Sequence, residues 1–285
     1  MSDRVGVLLI IVSAVGFGTL GIFGKLAADA GLSIPTVLFF RFLLATALVW
    51  GGLAVRGRLR RFSGKDLFIG LGLGAFGYAA MSGLYFWGLS FMTAGLVGIL
   101  LYTYPVFVVV LSALVLDERV TRRTASALVL ALTGVALITG GNPVGADPRG
   151  IVIVLVAAVV YAGYITIGRV ALDSVPADQL TAHVLPAAAC AYLFFGSATG
   201  ELFVPVALAE WGIVVAMAVL ATTIPIFALF AGISRIGASR TSIVSTVEPV
   251  VTLLLGAAIL GEPVTVVTVG GGGLVLLGVL LVQIE

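Results

Sequence analysis

The sequence predicts an all-α integral membrane protein of ten transmembrane helices, built as two inverted five-helix repeats with both termini in the cytoplasm. Three observations lead there. The 285-residue chain is 61% hydrophobic and only 10% charged, outside the range of an ordinary soluble domain. Apolar runs long enough to cross a bilayer recur from end to end. A constant offset in numbering carries Gly88, Ala94, Pro105, Glu118, Val120 and Gly134 onto Gly232, Ala238, Pro249, Glu262, Val264 and Gly278, which marks a duplication.

The expected spans are 5–27, 34–55, 67–89, 94–116 and 124–140, then 150–168, 180–199, 209–233, 238–260 and 263–284. Span one imitates a signal peptide, with Arg4 before an apolar run and Ala28-Asp29-Ala30 after it. Its apolar stretch exceeds a normal signal core and Lys25 interrupts the approach to any cleavage site, so it is read as a retained span. It carries Phe17 and Thr19 among Gly16, Gly18, Gly21 and Gly24, glycines that read as a packing groove. Span two holds Arg41 in the run LFFRFLL. That arginine is open to three readings: snorkelling outward, partnering a substrate carboxylate, or pairing with an acid on another span. In span three Gly74, Tyr78, Ser82 and Tyr85 share a face, with Gly70 and Gly77 permitting close approach.

Span four centres on Tyr104-Pro105, and the turn-rich gap from Asn142-Pro143 to Pro148 follows span five, so the repeats are placed at 1–141 and 142–285. Span six repeats the pattern of span one, with Tyr164 and Thr166 beside Gly163 and Gly168. Span seven holds the single histidine, His183, near Pro186, and the single cysteine, Cys190, read as packing. Span eight offers Thr222, Thr223 and Pro225 at the depth of Tyr78. Trp50 and Trp87, near span ends, read as interface anchors. Gly270 to Gly273 in span ten read as a packing surface, since no loop follows that could cradle a phosphate.

Span nine is the stretch around which the rest is organised. Thr241, Ser245, Glu248 and Thr252 form one polar face, and Glu248 is the only acidic side chain expected at mid-membrane depth. A carboxylate there is costly and usually faces an interior path, although it can also merely tie helices together. Pro249 follows at once, so a kink is expected at Glu248, as Pro105 implies one in span four. Tyr104 stands where Glu248 does, so the halves are not chemically equivalent.

Of the 15 Lys and Arg residues, twelve fall on one side of this arrangement. They are Arg4, Arg56, Arg58, Arg60, Arg61, Lys65, Arg119, Arg122, Arg123, Arg169, Arg235 and Arg240, whereas only Lys25 and Arg149 fall on the other. That places both termini in the cytoplasm. Five spans per repeat is an odd number, so the two copies insert in opposite senses, as in many secondary transporters. Metalloprotease, esterase and nucleotide-binding motifs are absent, as is any Cys/His cluster, so neither an enzyme, a metal nor a cofactor is expected. The net charge of +2 gives no footprint for nucleic acid.

With Phe40-Arg41-Phe42, Tyr104-Pro105, Asp117-Glu118-Arg119, Glu248-Pro249 and Gly261-Glu262-Pro263 in order, the chain resembles the drug/metabolite transporter superfamily, in its ten-helix EamA-type branch. The resemblance covers nearly the whole length. It implies an inner-membrane exporter of amino acids, aromatic ones included, or related metabolites, working by alternating access and expected as a monomer in the lipid bilayer. A multidrug or nucleobase-type exporter is the alternative within transport, and a channel or intramembrane sensor the alternative outside it. Phe17, Thr19, Tyr78, Ser82, Tyr85, Tyr104, Tyr164, Thr223, Ser245 and Glu248 are the expected cavity. Glu248 is the coupling candidate, Arg41 and His183 are secondary candidates, and Pro105 and Pro249 are expected as gating kinks.

Overall fold

A computed structural model describes residues 2–58, 64–115, 122–140, 146–171, 175–245 and 247–283. The described residues are helical apart from short connections and one isolated bridge between Met92 and Ala146. Six helical runs are long and apolar enough to cross a membrane, from Arg4–Asp29 to Leu208–Leu229. Ala94–Val108, Val247–Leu260 and Val266–Gly278 are shorter apolar runs.

Four spans are interrupted, and the interruptions of spans three and eight correspond between the halves. Span three runs Gly64–Gly72, widens into a π-helical stretch at Leu73–Tyr78, and continues as Ala79–Leu89. Span eight does the same, with Leu208–Ala218, a π-helical Val219–Thr223, and Ile224–Ser245. Span one breaks at Thr19, between Ser2–Gly18 and Leu20–Asp29. Span four breaks at Tyr102 and Thr103, between Ala94–Leu101 and Tyr104–Val115.

Two expectations need correction here. Pro105 does not sit inside a kink: it lies in the first turn of a new helix, Tyr104–Val115, where the missing N–H has no intrahelical partner to lose. The interruption, at Tyr102 and Thr103, precedes the proline. The expected turn at 234–237 is likewise not a break, since one helix covers Ile224–Ser245. Pro249 lies in Val247–Leu260, and Thr246 before it lies outside the described residues. Residues 59–63 of the first basic connection, Glu118 and the rest of 116–121, and Asn142-Pro143 lie outside the described residues.

Packing pairs each span with a counterpart from the other half. Span two lies against span seven, the first part of span four against Val247–Leu260, and span five against span ten. Span one packs on the π-helical stretch of span eight, as span six packs on that of span three. Glycines set these approaches. A Cβ at Gly16 would stand 2.3 Å from Pro225 and 2.6 Å from the Leu220 carbonyl, and one at Gly77 would stand 2.9 Å from the Tyr164 ring. One at Gly134 would reach 2.5 Å from the Gly271 carbonyl and one at Gly272 2.8 Å from Ile99, so the glycine run of span ten is a packing surface. Spans four and nine meet through Gly98 against Thr252 and Gly95 against Leu253, one to two turns before Tyr104-Pro105. Trp50 and Trp87 are exposed, and so is Cys190, which packs into no core.

Candidate functional site

The site grows from the break in span four and the part of span nine beside it. Because the helix stops at Leu101, Tyr102 and Tyr104 no longer follow helical spacing, and their rings meet edge to face at 5.6 Å. Tyr102 Oη donates to the Ser245 carbonyl at 2.5 Å. Tyr104 then meets Tyr161 at 4.6 Å, Tyr161 stacks on Tyr164 at 5.9 Å, and Tyr164 meets Tyr78 at 5.6 Å. Phe42 continues the row, 5.4 Å from Tyr78 and 6.0 Å from Tyr192. Six of the chain's seven tyrosines therefore form one connected row across spans two, three, four, six and seven. The seventh, Tyr85, is buried beside it, its hydroxyl facing Gly21. Tyr78, Tyr104, Tyr161 and Tyr164 are enclosed by neighbouring spans yet keep part of their surface open.

Glu248 occupies one end of the row. Its carboxylate is within electrostatic reach of Tyr85, Tyr102, Tyr104 and Tyr161. No ion pair or hydrogen bond engages it among the described residues. Its backbone is fixed from span one: Thr252 Oγ1 lies 3.0 Å from the Gly18 carbonyl and 3.2 Å from that of Glu248, sharing its hydrogen between them. A Cβ at Gly18 would sit 3.1 Å from the Glu248 carbonyl and 2.9 Å from Val251, so only glycine admits this approach unstrained. Thr19, at the break in span one, donates to the Gly16 carbonyl at 2.6 Å.

Arg41 occupies the other end and is 1% exposed, so its side chain does not snorkel. Its Nε donates to Thr222 Oγ1 at 2.9 Å, and its guanidinium lies 4.9 Å over the Phe42 ring. Thr222 Oγ1 spends its own hydrogen on the Met217 carbonyl at 3.0 Å, five residues back, which leaves it a pure acceptor toward Arg41. Thr223 Oγ1 repeats that bond to Ala218 at 2.8 Å. Tyr78, Tyr85 and Tyr192 lie within electrostatic reach of the guanidinium, with the Tyr78 hydroxyl beside it. The π-helical stretches of spans three and eight thus hold Arg41 between Tyr78 and Thr222. Arg41 and Glu248 form no ion pair; the one ion pair among the described residues is Arg58–Asp178 at 3.0 Å.

The sequence-derived cavity is only partly assembled by this geometry. Tyr78, Tyr85, Tyr104, Tyr164 and Glu248 come together, and Ser245 joins them through its carbonyl, whereas Thr223 bonds only the Ala218 carbonyl of its own span. Ser82 is buried on span three, and Phe17 is half-buried with no ring contact to the tyrosine row. His183 stays away, its Nδ1 2.9 Å from the Gln179 carbonyl of its own helix, where Gln179 Nε2 binds the Arg58 carbonyl at 2.6 Å. Tyr102, Tyr161, Tyr192 and Thr222 were outside the expected set. Tyr161 was findable, lying three residues from Tyr164 on the same helical face.

A second cluster closes one end of the bundle. Gly261 has φ of +65° and ends the helix at Leu260, and Glu262 N–H donates to the Gly256 carbonyl at 3.1 Å, six residues back. The turn aims Glu262 at the start of span four, where it accepts from Ala94 N–H at 2.7 Å and Gly95 N–H at 3.2 Å. Thr93 Oγ1 accepts from Leu96 N–H at 3.3 Å, so the first three free donors of that helix are satisfied. Lys25, within reach of Glu262, donates to the Leu89 carbonyl.

A multi-pass helical bundle whose interior, among the described residues, sets a row of aromatic rings between one carboxylate and one guanidinium that do not pair belongs to the class of membrane transporters for small molecules. The chain is a member of the EamA-like transporter family, whose model matches twice, over residues 4–140 and 148–284. This is a ten-helix, two-repeat fold, and its members are transporters and not enzymes. The uncharacterized transporter YcbK of Bacillus subtilis is 30% identical over 280 residues, covering 94% of this chain and 89% of that one. An uncharacterized transporter of Archaeoglobus fulgidus is 30% identical, covering 88% of this chain and 89% of that one. The pseudopaline exporter CntI of Pseudomonas aeruginosa is 25% identical, covering 75% of this chain and 74% of its own length. A solved crystal structure superposes with a TM-score of 0.65 at 20% identity, covering 97% of this chain and 95% of that one, a likeness of fold.

Proposed function

We propose that the protein exports amino acids, aromatic ones included, across the inner membrane by alternating access, with the tyrosine row as its substrate wall and Glu248 as its coupling group. The observation that carries this is the convergence of the chain's tyrosines between one acidic and one basic side chain, with few other polar groups. Such a wall suits an amphipathic zwitterion: the rings take an apolar or aromatic side chain, and an ammonium is drawn to ring faces and to a carboxylate. Phe17, Thr19, Tyr78, Ser82, Tyr85, Tyr104, Tyr164, Thr223, Ser245 and Glu248 are assigned to the cavity, with Tyr102 and Tyr161 added. The export direction is supported by one relative named as an exporter. The excess of basic residues on one side supports cytoplasmic termini.

The paired packing of equivalent spans supports two repeats, 1–141 and 142–285, inserted in opposite senses, and the chain acts as a monomer. Gating is then a rocking of spans about Pro105 and Pro249, with the break at Tyr102 and Thr103 as the joint in span four.

Counterflow in proteoliposomes with a panel of labelled amino acids tests this. A carrier shows transient accumulation of label against excess internal substrate, and a channel shows none. Failure of every amino acid to exchange, with exchange of nucleobases or cationic drugs instead, would replace this reading with the multidrug or nucleobase one.

A further inference from the structure

We infer that Arg41 and the Tyr78 hydroxyl form a carboxylate-binding subsite, so that the transported molecule is recognised by its carboxylate at a place separate from Glu248. The inference rests on the transport reading above and narrows its substrate class.

The observation is an unfinished arginine. A fully buried guanidinium that serves only packing is expected to direct its N–H groups at acceptors, because each unsatisfied donor is costly. Arg41 Nε is satisfied by Thr222, but Nη1 is buried with no acceptor in reach. Arg41 is also the only Lys or Arg among the buried described residues, and no described carboxylate pairs with it. A buried cation with neither counter-charge nor a complete set of acceptors fits a site that is completed by an anion.

The anion's chemistry follows from the donors. Nη1 and the Tyr78 hydroxyl offer two donors beside a single positive charge, which matches the two oxygens and single charge of a carboxylate. A phosphate dianion would leave oxygens unserved and a charge uncompensated.

Access follows from Tyr78. It is the last residue of the π-helical Leu73–Tyr78, it is half-buried, and its ring joins Phe42 beside Arg41 to Tyr164 in the row. A swing of this one side chain connects Arg41 to the space lined by the tyrosines. Tyr85 is within electrostatic reach of both Arg41 and Glu248, so the subsite and the acid flank one ring. π-helical turns recur at functional sites, and here the two of them supply the two groups that hold the guanidinium.

The test is counterflow with three labelled probes of one shape: phenylalanine, phenylalaninamide and 2-phenylethylamine. Wild-type protein is expected to exchange phenylalanine roughly tenfold or more faster than either probe lacking the carboxylate. Arg41→Gln is expected to erase that ratio, and Arg41→Lys, which keeps the charge but not the fork, to restore part of it with a raised KM. Thr222→Val removes the acceptor for Nε while keeping the cation, and should raise KM for phenylalanine several-fold more than KM for phenylethylamine. A ratio that survives in Arg41→Gln overturns the subsite and leaves amino-acid export standing. Equal exchange of all three probes by wild-type overturns it without any variant, should Arg41→Gln fail to insert. No exchange of any amino acid by wild-type brings down the export reading and the subsite together.

Discussion

At the scale of single residues, Glu248 is set apart by what it lacks. Arg41, the buried cation, binds Thr222 instead, so the carboxylate faces tyrosines. A carboxylate that only tied helices together would be engaged by a neighbouring donor. Glu248→Gln keeps the shape and most hydrogen-bonding capacity but cannot release a proton. The variant is expected to insert normally, lose export driven by an imposed pH gradient, and keep downhill exchange in proteoliposomes. Undiminished sensitivity to the gradient would move coupling elsewhere. The sequence made Glu248 legible because one acid in a long apolar run has few explanations. It made Tyr78, Tyr104 and Tyr164 legible through spacing. Tyr102 was hidden, because two residues from Tyr104 is the wrong side of a regular helix; only the break at 102–103 turns both inward. Tyr192 was hidden because its partners, Phe42 and the Ala79 carbonyl 2.7 Å from its hydroxyl, lie on other spans.

At the scale of elements, the π-helical stretches and helix restarts explain why glycines fall where they do. A Cβ at Gly74, inside the first π-helical stretch, would lie 2.4 Å from the Val184 carbonyl and 2.6 Å from Ala187. A backbone carbonyl cannot swing aside, so Gly74→Ala should force span three off span seven at a cost of about 1–3 kcal/mol. Transport should fall well below the wild-type rate. Gly163→Ala, where the added methyl meets nothing within 4 Å, is the matched control and should transport normally. Equal behaviour of the two would make Gly74 a filler of space. Tyr102→Phe probes the joint between spans four and nine. It deletes the bond to the Ser245 carbonyl, so thermal stability in detergent should drop by about 1 kcal/mol and transport should fall. A proline announced the joint in span four, but the position shifted. Proline is tolerated in a first helical turn, so the chain breaks before Pro105, not at it. Nothing in the sequence announces a π-helical turn, since the extra residue is accommodated by packing against spans seven and one.

At the scale of the whole molecule, alternating access requires contacts that hold one end shut and yet can release. The Glu262 cluster has that character. It joins the turn between spans nine and ten to the start of span four, and Lys25 joins span one to the end of span three beside it. The bonds are polar and local, made to helix-terminal N–H groups that water can satisfy equally well once the end opens. Gly256 leaves the room, since a Cβ there would stand 2.4 Å from a Glu262 carboxylate oxygen. The sequence displayed Gly261-Glu262-Pro263 as a repeat motif without revealing its partner, because Ala94 and Gly95 offer only backbone. Removing the carboxylate by Glu262→Ala costs that end roughly 1 kcal/mol of capping, which shifts an open–shut equilibrium by roughly fivefold. A cysteine at position 94, where Ala94 is fully buried against span one, reports it in a background carrying Cys190→Ser. Its labelling by a membrane-impermeant thiol reagent should be slow with Glu262 present and several-fold faster with Glu262→Ala. Glu262→Gln, which retains one acceptor oxygen, should fall between. Identical labelling rates in all three would reduce Glu262 to the cap of one helix, with no part in holding the transporter shut.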